Sequence, residues 1–537
     1  MLKLLLYYNT LRHLKPIQIY YRICYFARNK IIKPKLTHPS GKNLYSYSFL
    51  KFIQGIAPLE SYYNGSFSFL NQTAKHFSLL TGEGDQGVKQ DWNFPDFGKL
   101  WTYNLNYFDY LQQPSLTREK GIELIHNFIH QSESHTTGLD PYPTSLRIIN
   151  WIKFISRHSI NDPLIIESLH DQCKLLLKNI EYHLLGNHIL ENGFALFSAG
   201  LFYNETGFYE KGRQILVTQL NEQILDDGGH FELSPMYHAI ILNRLLDLIN
   251  ILQNNPGTDQ ELLPFIQEKA SRMILWISEM TFSSGDIPLF NDAARNIAPD
   301  TKQLLDYADR LDITSKSENY KLSASGYRKY ASNCFEMIID AGIVGPRYIP
   351  GHAHADMLNF ELYINGKPYI VDTGTSTYLQ GAIRSYERST SAHNSVTIGS
   401  TDQSEMWGSH RVARMAECLI LSDDPKELWA TVTGFPPLNA THRRTLRFQE
   451  DHIEIEDVIS NTKNLKGFAY FHFSPGVRVD LIDNHATTSY GTLYFESADS
   501  IEVGEFNYAP EFNKTIPATL LKVCFSRSLK TKILLNN

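Results

Sequence analysis

The spacing of apolar residues changes once along this chain of 537 residues, and this change constrains the fold more than any other feature. From about residue 100 to 310, apolar residues recur at steps of three and four, as in "TREKGIELIHNFIHQSE" and "YHAIILNRLLDLINIL". This spacing predicts a succession of paired amphipathic helices. From about residue 325 the step is two, as in "MLNFELYINGKPYIVDTG". That pattern predicts antiparallel strands joined by tight turns such as Asn365-Gly366.

A run of helices followed by a run of strands favours separate domains within an α+β protein. We expect an N-terminal basic helix and lead-in segment at 1–90, a helical domain at 91–320 and an antiparallel β domain at 321–537. The second boundary falls in the polar, Ser-rich stretch "RLDITSKSENYKLSASG", which has the composition of a linker. Two or three domains are also what this length leads us to expect.

The composition excludes several classes of protein. Hydrophobic residues make up 42% and charged residues 20%, which is typical of a globular chain and not of a disordered one. The net charge is −7 and no long basic run occurs, so we expect no nucleic-acid partner. The five cysteines are far apart and form no CxxC pair. They predict scattered thiols, which suit a reducing compartment.

The first 30 residues, "MLKLLLYYNTLRHLKPIQIYYRICYFARNK", are basic and partly apolar. The apolar run after Lys3 is short and no small-residue cleavage site follows, so the segment reads as a basic amphipathic helix and not as a signal peptide. This favours a cytoplasmic location, with the periplasm as the alternative. Docking on a membrane, on a biosynthetic complex or on the body of the protein are roles that such a segment can have. No later segment approaches the ~18 apolar residues of a spanning helix.

Histidines and aspartates are concentrated at the start of the strand-like half, in "GHAHADMLNFELYINGKPYIVDTG". His354, Asp372 and His393 would lie on neighbouring strands or at their ends, and two imidazoles with one carboxylate suit a tetrahedral Zn²⁺ site. His352 precedes His354 by two positions, so both would face one cleft if the stretch is extended. Histidines that are hydrogen-bonded within a polar loop are the alternative reading.

Two stretches of the helical half carry further candidates. In "LGNHILENGFALFSAG", Asn187, His188 and Glu191 cluster where a helical hairpin would turn, and the last two share a helix face. In "DGGHFELSPMYHAIIL", a helix should begin at Ser234-Pro235 and place Tyr237 in its first turn. The helix N-terminus and nearby cations would lower the pKa of that tyrosine, as proton transfer requires. A solvated turn and a packed tyrosine are the structural alternatives.

A third group could contact an acidic substrate. Arginines bind carboxylates through paired hydrogen bonds, although a structural ion pair is an equal alternative. The candidates come from "PYPTSLRIINWIK", from the helix after Ser234 and from "AIRSYERSTSAHNSV". They are Arg147, Asn150, Trp151, His238, Tyr386 and Arg388.

The sequence has no GxSxG elbow, phosphate loop or HExxH motif. A cleft rich in Tyr, His, Asn and Arg, with no organic cofactor, suits β-elimination on a uronic acid. In that reaction the carboxylate is neutralised, a base removes the C5 proton and an acid protonates the departing O4.

These stretches, together with "FGKLWTYNLNYFDYL" and "FNDAA", resemble the heparinase II/III-like polysaccharide lyases, which are related to some alginate lyases. The resemblance covers roughly residues 90 to 530. It implies an (α/α) toroid of paired helices followed by an antiparallel β-sandwich, and cleavage of a uronic-acid-containing glycan such as a glycosaminoglycan or a bacterial exopolysaccharide. The basic N-terminal stretch resembles that of lyase-like proteins associated with bacterial surface-polysaccharide synthesis.

The resemblance also implies roles for individual residues. Tyr237 would be the general acid, and in some cases the base as well, while His188 and His352 would be the partner base and proton-handling groups. Asn187, with Glu191 close by, would neutralise or orient the uronate carboxylate. The remaining set would hold a structural Zn²⁺ ion: His354, Asp372 and His393.

Three alternatives stay open from the sequence. A uronate C5-epimerase shares the first half-reaction, and a non-catalytic glycan-binding component of a polysaccharide biosynthesis system would need no proton-transfer residues. A glycoside hydrolase would need two carboxylates about 5 to 10 Å apart. Its candidates are Asp226, Asp227, Glu232, Asp292 and Asp356, which no pattern pairs. The sequence does not distinguish among polymers, between endo and exo action, or among oligomeric states.

Overall fold

The computed structural model describes residues 2–31, 34–42, 45–74, 91–255, 257, 259, 261–314 and 320–536. The described residues form helices in the first part of the chain and mainly strands in the second. The helices are α1 (Leu2–Leu11), α2 (Pro16–Ile31), α3 (Gly98–Tyr107), α4 (Arg118–His130), α5 (Pro141–His158), α6 (Pro163–Lys178), α7 (Gly186–Tyr203), α8 (Thr206–Gln223), α9 (Pro235–Asn254), α10 (Leu262–Glu279), α11 (Thr301–Arg310) and α12 (Ala382–Glu387).

The helices of the first part pack through apolar faces, and two glycines let α7 and α8 approach closely. A Cβ atom at Gly200 would lie 2.4 Å from the backbone nitrogen of Tyr209, and one at Gly212 would lie 2.3 Å from that of Phe197. Any larger residue would force the helices apart. One continuous apolar cluster extends through this helical part and contains buried Trp101, Trp151 and Trp276; we refer to this part as the toroid.

The strands form antiparallel sheets. They are β1 (Tyr62–Tyr63), β2 (Ser66–Phe69), β3 (Gln72–Ala74), β4 (Tyr327–Ala331), β5 (Phe335–Asp340), β6 (Phe360–Ile364), β7 (Lys367–Ile370), β8 (Val396–Ile398), β9 (Met406–Trp407), β10 (Arg411–Val412), β11 (Glu417–Asp424), β12 (Glu427–Gly434), β13 (Ala440–Phe448), β14 (His452–Ser460), β15 (Gly467–His472), β16 (Asp480–Ile482), β17 (His485–Thr487), β18 (Gly491–Glu496), β19 (Ser500–Glu511), β20 (Lys514–Phe525) and β21 (Ser528–Leu535).

The large sheet has eight strands in the order β11-β12-β13-β14-β21-β18-β17-β16. Two four-stranded sheets, β19-β20-β15-β8 and β4-β5-β6-β7, are linked to each other by a bridge between Ile370 and Phe473. Apolar residues from all three sheets meet in one buried cluster, which includes Leu362, Phe471 and Ile533. This is the layered packing of a β-sandwich. The first 74 residues add a small sheet, β1-β2-β3, that the sequence did not predict.

The register of one hairpin follows the predicted turn. Asn365 and Gly366 have φ values of 50° and 71° and connect β6 to β7. Both residue types tolerate the left-handed conformation that a two-residue turn of this kind needs.

A third apolar cluster joins the toroid to the sandwich. Met236, in the first turn of α9, packs with Leu289 and with Val371, Phe506 and Phe512 of the β part. The contact lies beside Tyr237, so the junction between the two parts is also the place where the candidate catalytic residues meet.

The two N-terminal helices cross the same junction. Thr10 donates a hydrogen bond to the carbonyl oxygen of Val412 at 3.2 Å and accepts one from the Trp407 indole at 3.0 Å. Gln18, in α2, donates to the carbonyl oxygens of Leu184 and Tyr348. The first helices therefore contact the toroid and the sandwich at once.

The structure confirms the predicted fold class, a helical toroid followed by an antiparallel β-sandwich. Helix α11 ends at Arg310 and β4 begins at Tyr327. The predicted boundary stretch lies between them, and its residues 315–319 are outside the described residues, as are 75–90 of the predicted lead-in segment. Within the described part of the chain, no helix is both long and apolar enough to cross a bilayer.

Candidate active site

The start of α7 brings an amide and a carboxylate together. Gly186 has φ +63°, and a Cβ atom there would lie 2.3 Å from Glu232 Oε1, so glycine is required on both counts. Asn187 donates to Glu232 through its backbone nitrogen at 2.8 Å and its side-chain amide at 2.9 Å. Burial would raise the pKa of Glu232, but the nearby imidazoles of His352 and His230 and the Asn187 hydrogen bonds outweigh it and lower the pKa.

The start of α9 places the candidate proton donor. Ser234 is the N-cap and accepts from the backbone nitrogen of Tyr237 at 3.2 Å, and Pro235 follows it, as the sequence predicted. The Tyr237 hydroxyl lies 3.2 Å from that of Tyr378. Its ring centroid is 4.0 Å from that of His352.

The predicted lowering of the Tyr237 pKa is wrong. Burial raises this pKa well above its ordinary value, and Tyr378, Asp292 and Glu232 raise it further. Two negative carboxylates and the loss of solvent outweigh the helix N-terminus at this position. Tyr237 is consequently held in its protonated form, which suits a proton donor.

A single aspartate connects the two histidines of "GHAHAD". His352 Nδ1 lies 3.0 Å from Asp292 Oδ2, and His354 Nε2 lies 2.9 Å from Asp292 Oδ1. Arg384 donates to both oxygens of Asp292 at 2.5 and 2.8 Å. His352 and His354 belong to the loop that precedes β6, so the extended strand that would make them face one cleft is not formed here. They act together because they share one carboxylate.

His188 forms a second imidazole–carboxylate pair. Its Nδ1 lies 3.0 Å from Glu181 Oε1, and its ring packs 4.6 Å from that of Tyr142. Burial would lower the pKa of His188, but the charge and hydrogen bond of Glu181 outweigh it and raise the pKa. Because Glu181 accepts at Nδ1, the other ring nitrogen is left for a substrate.

An open cleft of about 1790 Å³ connects these groups. Residues from both parts of the chain form its walls. They include Asn187, His188, Tyr237, His352, Tyr378 and His410, and also Tyr142 and Arg244. The cleft therefore contains a half-buried tyrosine hydroxyl, two carboxylate-bound imidazoles and an amide.

The metal-capable group differs from the predicted set by one residue. Ligand atoms of His354, Asp356 and His393 lie within 4.8 Å of one another, and all three residues are buried. Each has one buried side-chain atom without a partner among the described residues: Nδ1, Oδ2 and Nε2 respectively. Burial lowers the pKa of His354 to about 3, so its imidazole is neutral and able to bind a cation. These residues fit a Zn²⁺ ion.

Asp372, the carboxylate in the predicted set, lies behind this group. It accepts from His393 Nδ1 at 2.7 Å and from the Asn359 side chain. A carboxylate in that place orients a metal-binding histidine. A second set, Asp292, His352 and His410, is equally compact, but both Asp292 oxygens already bind Arg384, whose charge opposes a cation.

Four of the predicted substrate-binding residues are structural. Arg147 is fully buried and donates to Gln172 and to two backbone carbonyl oxygens. Arg388 is fully buried and donates to Ala353 O. Trp151 and His238 are also fully buried; His238 pairs with Met273 O and stacks on Trp276. Without access to the cleft, none of the four binds a substrate.

The other candidates are placed differently. Asn150 borders the cleft, although its amide donates to Tyr107 O at 2.9 Å. Tyr386 is 36% exposed and is absent from the described lining of the cleft. Glu191 is buried and accepts from Arg244, not from Asn187. Glu191 therefore cannot assist Asn187 directly.

Sequence reasoning missed four residues as site residues. The sequence offers Glu232 and Asp292 only as hydrolase carboxylates, and it does not point to Glu181 or Tyr378. Each makes a hydrogen bond with a predicted residue that lies between 7 and 141 positions away in the sequence. Asp292 lies in one of the stretches that resemble the lyases, "FNDAA".

Known proteins share this architecture. A crystal structure of heparinase III aligns with a TM-score of 0.69 at 16% identity, covering 98% of this chain and 92% of that one. A heparan sulfate lyase from Pedobacter heparinus aligns with a TM-score of 0.56 at 18% identity, covering 85% of this chain and 80% of that one. At these identities the alignments establish the fold.

Curated relatives also match in sequence. A heparin-sulfate lyase of Bacteroides stercoris is 26% identical over 256 residues, which are 42% of this chain and 37% of the relative. A heparin-sulfate lyase of Bacteroides thetaiotaomicron is 22% identical over 335 residues, 52% of this chain and 47% of the relative. The matched segments thus span less than half of each relative.

Family models match most of the chain. The model described as "Heparinase II/III N-terminus" matches residues 145–321, and the one described as "Heparinase II/III-like, C-terminal" matches residues 315–534. The two meet at the transition from helices to strands, and the second includes the histidine-rich loop and the buried metal-capable group. The chain belongs to the heparinase II/III-like family.

Proposed function

We propose that the protein is a polysaccharide lyase that cleaves a uronic-acid-containing glycan by β-elimination. The observation that carries the proposal is the contact of a protonated tyrosine with a carboxylate-bound histidine in an open cleft. Tyr237 and His352 lie with ring centroids 4.0 Å apart, and Asp292 holds the histidine. The two curated relatives, both named heparin-sulfate lyase, support the reaction and a glycosaminoglycan-like acidic polysaccharide as substrate.

In the proposed reaction, His188 removes the C5 proton through the ring nitrogen that Glu181 does not occupy. The electrons of the C5–H bond form the C4–C5 double bond as the C4–O4 bond breaks, and Tyr237 gives its proton to O4. One amide hydrogen of Asn187 binds Glu232. The second is available to the uronate carboxylate, whose charge must be stabilised as the C5 proton leaves. We assign His352 to proton handling beside Tyr237.

The test measures the product directly. The protein is incubated with a panel of uronate polymers while the ultraviolet absorbance of the unsaturated uronate is followed, and carboxyl-reduced forms of the same polymers serve as matched controls. We expect absorbance only with intact carboxyl groups, because only these acidify C5. New reducing ends without absorbance would indicate hydrolysis instead. Deuterium uptake at C5 without cleavage would indicate an epimerase. Either result contradicts the lyase assignment.

We also propose that His354, Asp356 and His393 hold a structural Zn²⁺ ion, with Asp372 orienting His393. Bound there, the ion would fix the loop that carries His352. Three unpartnered buried atoms support this assignment. The pKa of Asp356 supports it as well. Burial raises this pKa to about 6, and a bound cation would lower it by stabilising the carboxylate.

The two aspartates give a sharp test of the ligand set. We expect Asp356→Asn to remove most of the bound zinc, because a direct ligand is lost. Asp372→Asn should weaken zinc affinity about 10–100-fold, as loss of an orienting partner does. Elemental analysis and competition with a chelator provide the measurement, and the exposed Asp451→Asn is the control. Loss of zinc in the Asp372 variant with retention in the Asp356 variant would instead support the set His354, Asp372 and His393.

A further inference from the structure

The two N-terminal helices present a concentrated apolar face to the outside. Among the described residues, 23 large apolar side chains are strongly exposed, and ten of these lie between Leu4 and Phe26. Leu4 is 74%, Ile23 64% and Phe26 65% exposed. Scattered exposed apolar residues are ordinary, but a group of this density marks an interaction surface.

The exposed residues follow the helical period. Eight of the ten share this spacing: Leu4, Leu5, Tyr8 and Leu11 in α1, and Ile19, Tyr20, Ile23 and Phe26 in α2. The other two are Tyr7, whose ring packs on Trp407, and Ile17. The opposite sides of the helices contact the protein through Thr10, Gln18 and Tyr25, the last of which donates to Ile180 O at 2.6 Å. The pair of helices is therefore held by one side and open on the other.

The charge of this segment points to the chemistry of its partner. Residues 1–59 contain seven lysines and three arginines and no acidic residue, so all 57 acidic residues of the chain come after them. Arg12 and Lys30 are exposed next to the apolar residues, and the Lys30 ammonium lies 4.4 Å from the centre of the Phe26 ring. The positive charge of this segment is opposite in sign to the net charge of −7 of the whole chain.

We propose that α1 and α2 dock the protein on an anionic lipid surface and lie in the plane of its headgroups. Apolar side chains enter the boundary of the acyl chains while cations bind anionic headgroups, as in other interfacial helices. A helix of 10 or 16 residues is too short to span ~30 Å of hydrocarbon at ~1.5 Å per residue. Tyr7, Thr10 and Arg22 also line the cleft, so docking brings one wall of the cleft close to the lipid surface.

The test uses the full chain and vesicles of phosphatidylcholine alone or mixed with phosphatidylglycerol. We expect co-sedimentation with the mixed vesicles only, weakened by salt. The double variant Ile23→Ser/Phe26→Ser should lower the partition coefficient about tenfold or more, because two apolar side chains no longer enter the lipid. Arg12→Gln/Lys30→Gln should lower it about 25-fold, at ~1 kcal/mol for each cation.

Two matched controls carry the same changes elsewhere. Leu419→Ser/Leu421→Ser replaces exposed apolar residues of β11, and Lys426→Gln/Lys463→Gln removes exposed cations of the sandwich. Both should bind like the unchanged protein. Equal loss in the controls, or equal binding to neutral vesicles, would overturn the proposal. So would a dimer, detected by light scattering without lipid, that only the Ile23/Phe26 variant disrupts, since the face would then join two copies.

Discussion

Replacing Tyr237 by phenylalanine is expected to lower kcat about 10²–10⁴-fold, which is the usual contribution of a positioned acid or base. The change removes one hydroxyl group and keeps the ring that packs on His352 at 4.0 Å. KM should change little, because the hydroxyl acts on the departing oxygen and not on the bound ground state. The measurement is the initial rate of unsaturated uronate formation at several polymer concentrations.

Two further tyrosines make this experiment specific. Tyr378→Phe removes the hydroxyl that lies 3.2 Å from Tyr237 and leaves the proton donor in place, so its loss of kcat should be much smaller. Tyr348→Phe, outside the proton-transfer group, removes a bond to Glu222 and serves as the second control. If Tyr237→Phe keeps a rate within a few-fold of these two, another group donates the proton.

Replacing Asp292 by asparagine is expected to lower the free energy of unfolding by about 3–5 kcal/mol, since it leaves a buried cation without its partner. Arg384 is 1% exposed and donates to both Asp292 oxygens. Asparagine keeps only one side-chain oxygen, so either His352 or His354 loses its acceptor, and activity should fall as well. Chemical denaturation measures the first effect and the rate assay measures the second.

A double variant separates the two roles of Asp292. Asp292→Asn/Arg384→Met removes both buried charges and should recover much of the lost stability, while activity stays low because the carboxylate beside His352 is still absent. Asp306→Asn, which breaks an exposed pair with Lys302, should change stability by less than about 0.5 kcal/mol. If Asp292→Asn lowers the free energy of unfolding as little as Asp306→Asn does, Asp292 does not stabilise the site.

The sequence was sufficient for the fold because periodicity is a local property. The change of step near residue 320, the Ser234-Pro235 helix start and the Asn365-Gly366 turn each depend on neighbouring residues, and the structure has all three. The three-stranded sheet formed by β1, β2 and β3 was missed because its strands have two to four residues, too few to show a period.

The site was predicted less completely because its partners come from distant parts of the chain. Some candidates can be recognised from residue type alone, because their side chains transfer protons or bind carboxylates. Four of these line one cleft: Tyr237, His188, His352 and Asn187. Glu232 and Asp292 matter because they bind Asn187 and His352. No local sequence pattern predicts those contacts. The same limit explains why Arg147 and Arg388 were wrongly predicted to bind substrate. An arginine among apolar residues can bind either a ligand or a buried carbonyl oxygen, and only the packing shows which of the two it binds.

The contacts of Thr10 have a consequence for how the chain folds during synthesis. Its partners Val412 and Trp407 are separated from it by 402 and 397 positions. At ~5–20 residues per second, the ribosome takes roughly 20–80 seconds to supply them. Throughout that interval the apolar first helices are outside the ribosome without their final neighbours in the sandwich. Helices α1 and α2 are thus made long before these partners, and the contacts of Thr10 with the sandwich can form only after β9 and β10 emerge.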